Sequence, residues 1–191
     1  MQFIYIRDNA LSQVECDRCI KFFEINYKSH DQGITSKGYE PGHKDSMDWT
    51  KDFRDNDAVD MMLLDVLDTH TEEYKKLHPS VDNLPDGWCV YPRYNIQKYN
   101  PGGGFKGWHC ETGDFSNWPR TDSPKRMLVW MIYLNEVPDG GTEFMEQNFT
   151  CEAKKGRIVI WPSYWTHTHK SQISPTTTKY IATGWYTFNV P

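Results

Sequence analysis

Arg126-Met127-Leu128-Val129-Trp130-Met131-Ile132-Tyr133-Leu134 is apolar at every position after its first. Successive side chains on a strand point to opposite faces, so a segment apolar at odd and even positions alike reads as a strand buried on both sides. The segments around it keep that character. Downstream, Pro138-Asp139-Gly140-Gly141 turns the chain into Thr142-Glu143-Phe144. Arg157 to Trp161, Thr166 to Ser171 and Lys179 to Phe188 follow as strands, divided by turns rich in Pro, Ser and Thr. Upstream, a strand from Trp88 to Tyr99 is broken at Pro92, and Asn100-Pro101-Gly102-Gly103-Gly104 is a tight turn. Phe105 to Glu111 reads as a further strand, ahead of a polar stretch through Pro124. The aromatic residues, 8 Trp, 11 Tyr and 9 Phe, are densest after Trp88 and suit pleated, half-buried surfaces.

The N-terminal half reads differently. Phe3-Ile4-Tyr5-Ile6 is a short strand. Ser12-Gln13-Val14-Glu15 has the capping-box pattern and opens a helix to about Tyr27. Residues 29–55 are polar and glycine-bearing, which predicts a loop. A second helix opens near Asn56 or Asp57, with Val59, Leu63, Val66, Leu67, Tyr74 and Leu77 at helical spacing before Pro79. Helices followed by strands without alternation predict a mainly β fold, with N-terminal helices packed on a β-sandwich or jelly roll. One domain over 1–191 is expected, with a helical N-terminal part at about 1–87 and a jelly-roll core at about 88–191.

Composition excludes several function classes. Twenty-six acidic against 21 basic residues, with no run of like charge, argues against nucleic acid or an anionic membrane as the main partner. No stretch approaches the roughly 20 apolar residues of a membrane span, and the first residues lack a secretory pattern. Five cysteines are an odd number for a disulfide framework, so reduced thiols and a cytoplasmic location are expected. Cys16-Asp17-Arg18-Cys19 lies inside the first helix with no second CxxC, and reads as two ordinary packed thiols. Nothing in the sequence bears on oligomeric state.

The candidate chemistry lies in the strand-rich half. His109-Cys110-Glu111 sets an imidazole and a carboxylate at i and i+2, and His167-Thr168-His169 sets two imidazoles so. On strands, each pair would share a face. Two imidazoles and one carboxylate with open positions suit oxygen-activating iron(II). Zinc, or a cupin-like binding protein, would use similar spacing, and an HxE alone is common on surface strands.

The surroundings of these pairs resemble the prolyl-4-hydroxylase-like branch of the 2-oxoglutarate/Fe(II) oxygenases over about residues 88–188. Tyr99-Asn100-Pro101-Gly102-Gly103-Gly104 before His109-Cys110-Glu111 is similar to the family's tyrosine, glycine-rich turn and HxD/E. Arg126 through Tyr133-Leu134-Asn135 resembles its "R…YLN" strand, and Gly140-Gly141-Thr142-Glu143-Phe144 its "GG.T.F" turn. Lys179-Tyr180-Ile181-Ala182-Thr183-Gly184-Trp185 resembles its last core strand, where a Lys or Arg binds the cosubstrate. The resemblance implies a double-stranded β-helix and the use of Fe(II), 2-oxoglutarate and O₂. It implies iron held by His109, Glu111 and either His169 or His167. Counting back about ten positions from Lys179 selects His169, whereas counting forward from Trp161-Pro162-Ser163 selects His167. The first is preferred, because the segment before the histidine tolerates insertions more readily than the hairpin after it.

The same resemblance gives Lys179 and Tyr133 the distal carboxylate of 2-oxoglutarate, sets Tyr99 near the iron, and adds Thr183 to the cosubstrate pocket and Trp185 to the substrate side. Lys179, Ile181, Thr183 and Trp185 alternate, so all four should face the interior. Glu111 stands where the family more often has Asp, and its carboxylate argues against the halogenating relatives. The expected reaction is hydroxylation of a substrate that the sequence does not identify. A prolyl 4-hydroxylase-like activity on a peptide, hydroxylation of a small molecule such as a free amino acid, and a non-catalytic metal-binding jelly roll all remain open. Residues 29–55 and 112–124 are expected to face the substrate, with Trp49 and Trp118 read as packing.

Overall fold

The computed structural model describes residues 2–35, 38–112 and 125–189. Its first elements are β1 (Tyr5–Arg7), α1 (Gln13–Ile25), β2 (Asp31–Gln32), β3 (Lys44–Asp45), β4 (Met47–Asp52) and α2 (Ala58–Leu77). There follow β5 (Trp88–Tyr99), β6 (Gly104–Phe105), β7 (Arg126–Tyr133), β8 (Val137–Phe144), β9 (Phe149–Ala153), β10 (Ile158–Pro162), β11 (His169–Ser171) and β12 (Lys179–Phe188). A seven-stranded antiparallel sheet runs β1-β10-β7-β12-β5-β4-β2, and a three-stranded sheet runs β11-β8-β9. The two make a jelly roll, with β3 and β6 pairing as a small extra ribbon.

The strand at 126–134 explains the layering. Leu128, Trp130 and Ile132 point to one core, together with Leu63, Leu67 and Tyr74 of α2 and Cys16, Cys19 and Phe23 of α1. Val129, Met131 and Tyr133 point to the other core, between the sheets, with Tyr99, Phe144, Trp161 and Ile181. Both helices begin where their caps fix them. The Ser12 hydroxyl accepts from the Glu15 amide, and the Glu15 carboxylate accepts from the Ser12 amide at 2.7 Å. Asp57 and Asp60 repeat the device on α2.

Several elements differ from the sequence reading. The segment 29–55 is not all loop: β4 pairs with β5 from Met47↔Lys98 to Asp52↔Arg93, so the part before residue 88 adds strands to the main sheet as well as helices. Its alternation is hidden because one face is polar. Met47 and Trp49 pack on the helical core, while Asp48 and Thr50 face a cavity. Trp49 stacks on Phe22 at 4.9 Å, a packing role; Trp118 and residues 113–124 lie outside the described residues.

Pro92 does not break β5. It sits in a bulge against β12, between Tyr186↔Val90 and Gly184↔Tyr94, and beyond the last β4 pair, where its missing N–H leaves no ladder bond unmade. Strand β9 carries only Phe149, Cys151 and Ala153 inward, too little to read as a strand. Phe105 to Glu111 is not one strand: β6 ends at Phe105, and His109 makes only an isolated bridge, to His169. Nor do residues 166–171 form one strand, since Trp165–His167 is a 3₁₀ turn ahead of β11.

All five cysteines are free thiols. Burial pushes the thiols of Cys16 and Cys19 up, to about 11 and about 12, which leaves them protonated and inert. Among the described residues no helix is long and apolar enough to cross a membrane.

Candidate active site

His109 and His169 are 60 residues apart in sequence and adjacent in space. They exchange both backbone hydrogen bonds, at 3.0 and 2.9 Å. Each imidazole then turns the same way. Nδ1 of His109 lies 3.0 Å from the Gly107 carbonyl, and Nδ1 of His169 lies 2.8 Å from the His167 carbonyl. A carbonyl can only accept, so each Nδ1 carries a proton, which leaves Nε2 as the ring atom that can ligate a metal. Both Nε2 atoms face one oxygen: Oε1 of Glu111 is 3.5 Å from Nε2 of His109 and 3.7 Å from Nε2 of His169. The three candidate ligand atoms all lie within 4.8 Å of one another.

The rings are held by aromatic neighbours. Phe105 stacks on His109 with centroids 3.6 Å apart, and Trp161 meets His169 edge-on at 5.1 Å. Burial, and then the neighbouring His109, lowers the pKa of His169, which keeps its imidazole neutral. Burial pushes the Glu111 carboxyl up, but the two imidazoles and the Arg126 guanidinium outweigh it and hold the group well below the usual carboxylate range. A neutral imidazole at His169 and an ionised carboxylate at Glu111 are the states that a divalent metal requires of them.

His167 is not part of this group. The 3₁₀ turn points its ring elsewhere, with Nε2 3.1 Å from the Gln2 carbonyl and Nδ1 3.0 Å from the Thr166 hydroxyl. The i and i+2 argument therefore fails for His167 and His169, because they do not share a strand.

The triad opens onto a cavity of about 950 Å³. Behind the triad, Lys179 is buried. Its ammonium donates to the Gly140 carbonyl at 2.9 Å and sits 5.2 Å from the Tyr99 ring centre. Among the described residues it has no carboxylate within 4.0 Å, and burial lowers its pKa to about 8. A buried lysine without an anion is costly, so this cation suits a ligand carboxylate. Tyr133 is fully buried, its hydroxyl 2.7 Å from that of Thr142, which lines the cavity. The buried Lys179 ammonium beside Tyr99 and the His-Glu-His group suit the two ends of a keto acid with a distant carboxylate.

Other expected residues have their polar atoms engaged. The Tyr99 hydroxyl donates to Gln97 at 2.7 Å, and the Thr183 hydroxyl donates to the Trp130 carbonyl at 2.8 Å, although both residues line the cavity. The Trp185 indole N–H donates to Oε2 of Glu111 at 3.0 Å. Sequence reasoning gave no site role to Arg126, Thr142, Gln97 or the ion pair Lys44–Asp48, all of which line the cavity. The N-terminal segment supplies the outer wall through Asp31, Gln32, Thr35, Lys44, Asp48 and Thr50.

Residues 94–187 match the model of the 2OG-Fe(II) oxygenase superfamily. That stretch belongs to that superfamily. The oxygenase is thus an iron(II)- and 2-oxoglutarate-dependent enzyme of the hydroxylase type, with O₂ as second cosubstrate. Among curated proteins, no sequence matches it.

Solved structures share its fold. The viral collagen prolyl hydroxylase of Paramecium Bursaria Chlorella virus-1, in its 2OG complex, is 19% identical with a TM-score of 0.67, over 97% of this chain and 96% of that one. A Pseudomonas putida prolyl-4-hydroxylase is 14% identical with a TM-score of 0.71, over 96% and 92%. A Trichoplax adhaerens prolyl hydroxylase, in complex with a hypoxia inducible factor oxygen degradation domain peptide fragment, is 12% identical with a TM-score of 0.72, over 98% and 84%.

Proposed function

We propose that the oxygenase hydroxylates proline carried on a peptide, with Fe(II) held by His109, Glu111 and His169 and 2-oxoglutarate held by Lys179 and Tyr133. The observation that carries the site is the convergence of two imidazole Nε2 atoms on Oε1 of Glu111, at 3.5 and 3.7 Å. Iron, when bound with 2-oxoglutarate and O₂, supplies the oxidant that hydroxylates a C–H bond while the keto acid is decarboxylated to succinate and CO₂.

The chain's own residues do the rest. The Gly107 and His167 carbonyls keep both imidazoles in the Nε2-ligating tautomer. Lys179 neutralises the distal carboxylate in a dry pocket, where a charge-assisted hydrogen bond is strong. Tyr133 adds a hydroxyl beside Thr142. Tyr99 and Thr183, with their hydroxyls engaged by Gln97 and the Trp130 carbonyl, shape the wall and exclude water.

The peptide substrate is supported by the fold neighbours named above, which are prolyl hydroxylases, one of them holding a peptide. The cavity, about 950 Å³, has room for a substrate beside 2-oxoglutarate. The test supplies Fe(II), 2-oxoglutarate and O₂ with proline-containing peptides in one series and free amino acids in another. Peptide-stimulated succinate formation, with one oxygen atom gained by the peptide, is expected. Turnover stimulated by a free amino acid alone would overturn the substrate assignment.

A further inference from the structure

Oε1 of Glu111 faces the two imidazoles, and its other oxygen is held from behind. Oε2 accepts from the Trp185 indole at 3.0 Å and from the Arg126 guanidinium at 3.1 Å. These two donors are themselves stacked, with the guanidinium carbon 3.7 Å from the centre of the Trp185 ring. The fold brings them to the spot by separate routes. Arg126 opens β7. Trp185 lies on β12 at the bulge between Gly184 and Tyr186, where it has no partner on β5. The extra residues of that bulge belong to β5, while Trp185 stays in register with Val129 of β7 and its indole points its N–H at the carboxylate.

We propose that Trp185 and Arg126 are positioning residues that lock Glu111 as a one-oxygen metal ligand, and that they do so because this chain has glutamate where one methylene less would suffice. The inference rests on the metal centre proposed above. A glutamate has one more rotatable bond than an aspartate, and ordering it costs side-chain entropy. A free glutamate can also offer both oxygens to a metal, closing a position that the keto acid needs. With Oε2 tied to two donors, only Oε1 is available. The clamp and the cosubstrate cation also share a strand, since Lys179 and Trp185 both belong to β12, so one element sets two parts of the site.

The experiment titrates the metal-free protein with Fe(II) under anaerobic conditions, following metal binding directly. Trp185→Phe keeps the ring and removes the N–H, and should weaken Fe(II) binding by about 10- to 100-fold, the usual effect of losing a hydrogen bond to a metal ligand. Glu111→Asp withdraws the second oxygen from the clamp, so adding Trp185→Phe to it should weaken binding no further. Arg126→Lys, which keeps the charge and loses the planar fork, should weaken Fe(II) binding in the glutamate protein alone. Thermal melts of the metal-free variants separate misfolding from altered affinity.

Equal losses from Trp185→Phe in the unaltered protein and in the Glu111→Asp variant, or unchanged affinity in Trp185→Phe, would overturn the clamp. The control is His109→Ala. If that variant binds Fe(II) as well as the unaltered protein, the metal centre itself is wrong. If it fails to bind while Trp185→Phe binds normally, only the clamp is wrong.

Discussion

Lys179 and Gly140 are joined across the interior by one hydrogen bond, the ammonium donating to the carbonyl at 2.9 Å. A neutral acceptor cannot balance the charge, and no carboxylate lies within 4.0 Å among the described residues. In the proposed reading the distal carboxylate of 2-oxoglutarate balances it. Lys179→Ala should raise KM for 2-oxoglutarate by about 10- to 100-fold, at about 1.4 kcal/mol per decade, and leave metal binding unaltered. Lys179→Arg should recover part of the affinity, limited by its different geometry. A 2-oxoglutarate titration of succinate formation in each variant is the check, and an unchanged KM in Lys179→Ala would remove the lysine from the pocket.

The same lysine gives a pH dependence of known sign. Burial lowers its pKa from 10.5 to about 8. Between those values the unfolded chain holds a proton that the native lysine has lost, so stability without cosubstrate should rise with pH across that window. Bound 2-oxoglutarate prefers the charged form, so the gain in Tm that it gives should shrink as pH climbs through about 8. Melts with and without 2-oxoglutarate, from neutral pH upward, measure both trends. A gain in Tm independent of pH would contradict the pairing.

His169 and His167 should separate cleanly in variants. His169→Ala should end succinate formation, because it removes one of the converging Nε2 atoms. His167→Ala should retain turnover and lower the melting temperature, since it removes a buried ring bonded to Gln2 and Thr166. Turnover lost only in His167→Ala would reverse the assignment.

A structural prediction concerns the join between α2 and the sheet. Asp60 is fully buried, accepts from the Tyr94 hydroxyl at 2.7 Å and lies 3.4 Å from the Lys51 ammonium. Lys51→Met would leave that carboxylate buried beside Asp57 without its cation, a loss of about 3–5 kcal/mol. Tyr94→Phe should cost about 1–3 kcal/mol through the unpaired acceptor. Urea unfolding reads both, and a change below about 0.5 kcal/mol in Lys51→Met would mean that the network contributes nothing.

What was legible in the sequence was what repeats or is capped. The doubly apolar run at 126–134, the alternation of Lys179 to Trp185 and the two capping boxes each have one physical solution, and the folded chain adopts it. Strand β4 was hidden because Asp48 and Thr50 face a cavity rather than a core, so its composition resembles a loop. The bulge at Pro92 was hidden because a proline reads as a break until the partner strand is known. In the site, His109, Glu111 and Lys179 stand out by residue type and spacing. The contacts of Trp185 and Arg126 with Glu111 do not, because they come from a meeting of β7 and β12 that no local pattern encodes. The histidine pair misled for the same reason: i and i+2 share a face only on a strand, and the chain turns at Trp165–His167.

The central claim is that His109, Glu111 and His169 hold one iron. Anaerobic reconstitution of the purified protein with Fe(II), followed by addition of 2-oxoglutarate, tests it most directly. One Fe(II) per chain and a weak visible charge-transfer band dependent on 2-oxoglutarate are expected, and both should vanish in His109→Ala, since two remaining ligands hold the metal poorly. Full iron occupancy with an unchanged band in His109→Ala would contradict the assignment.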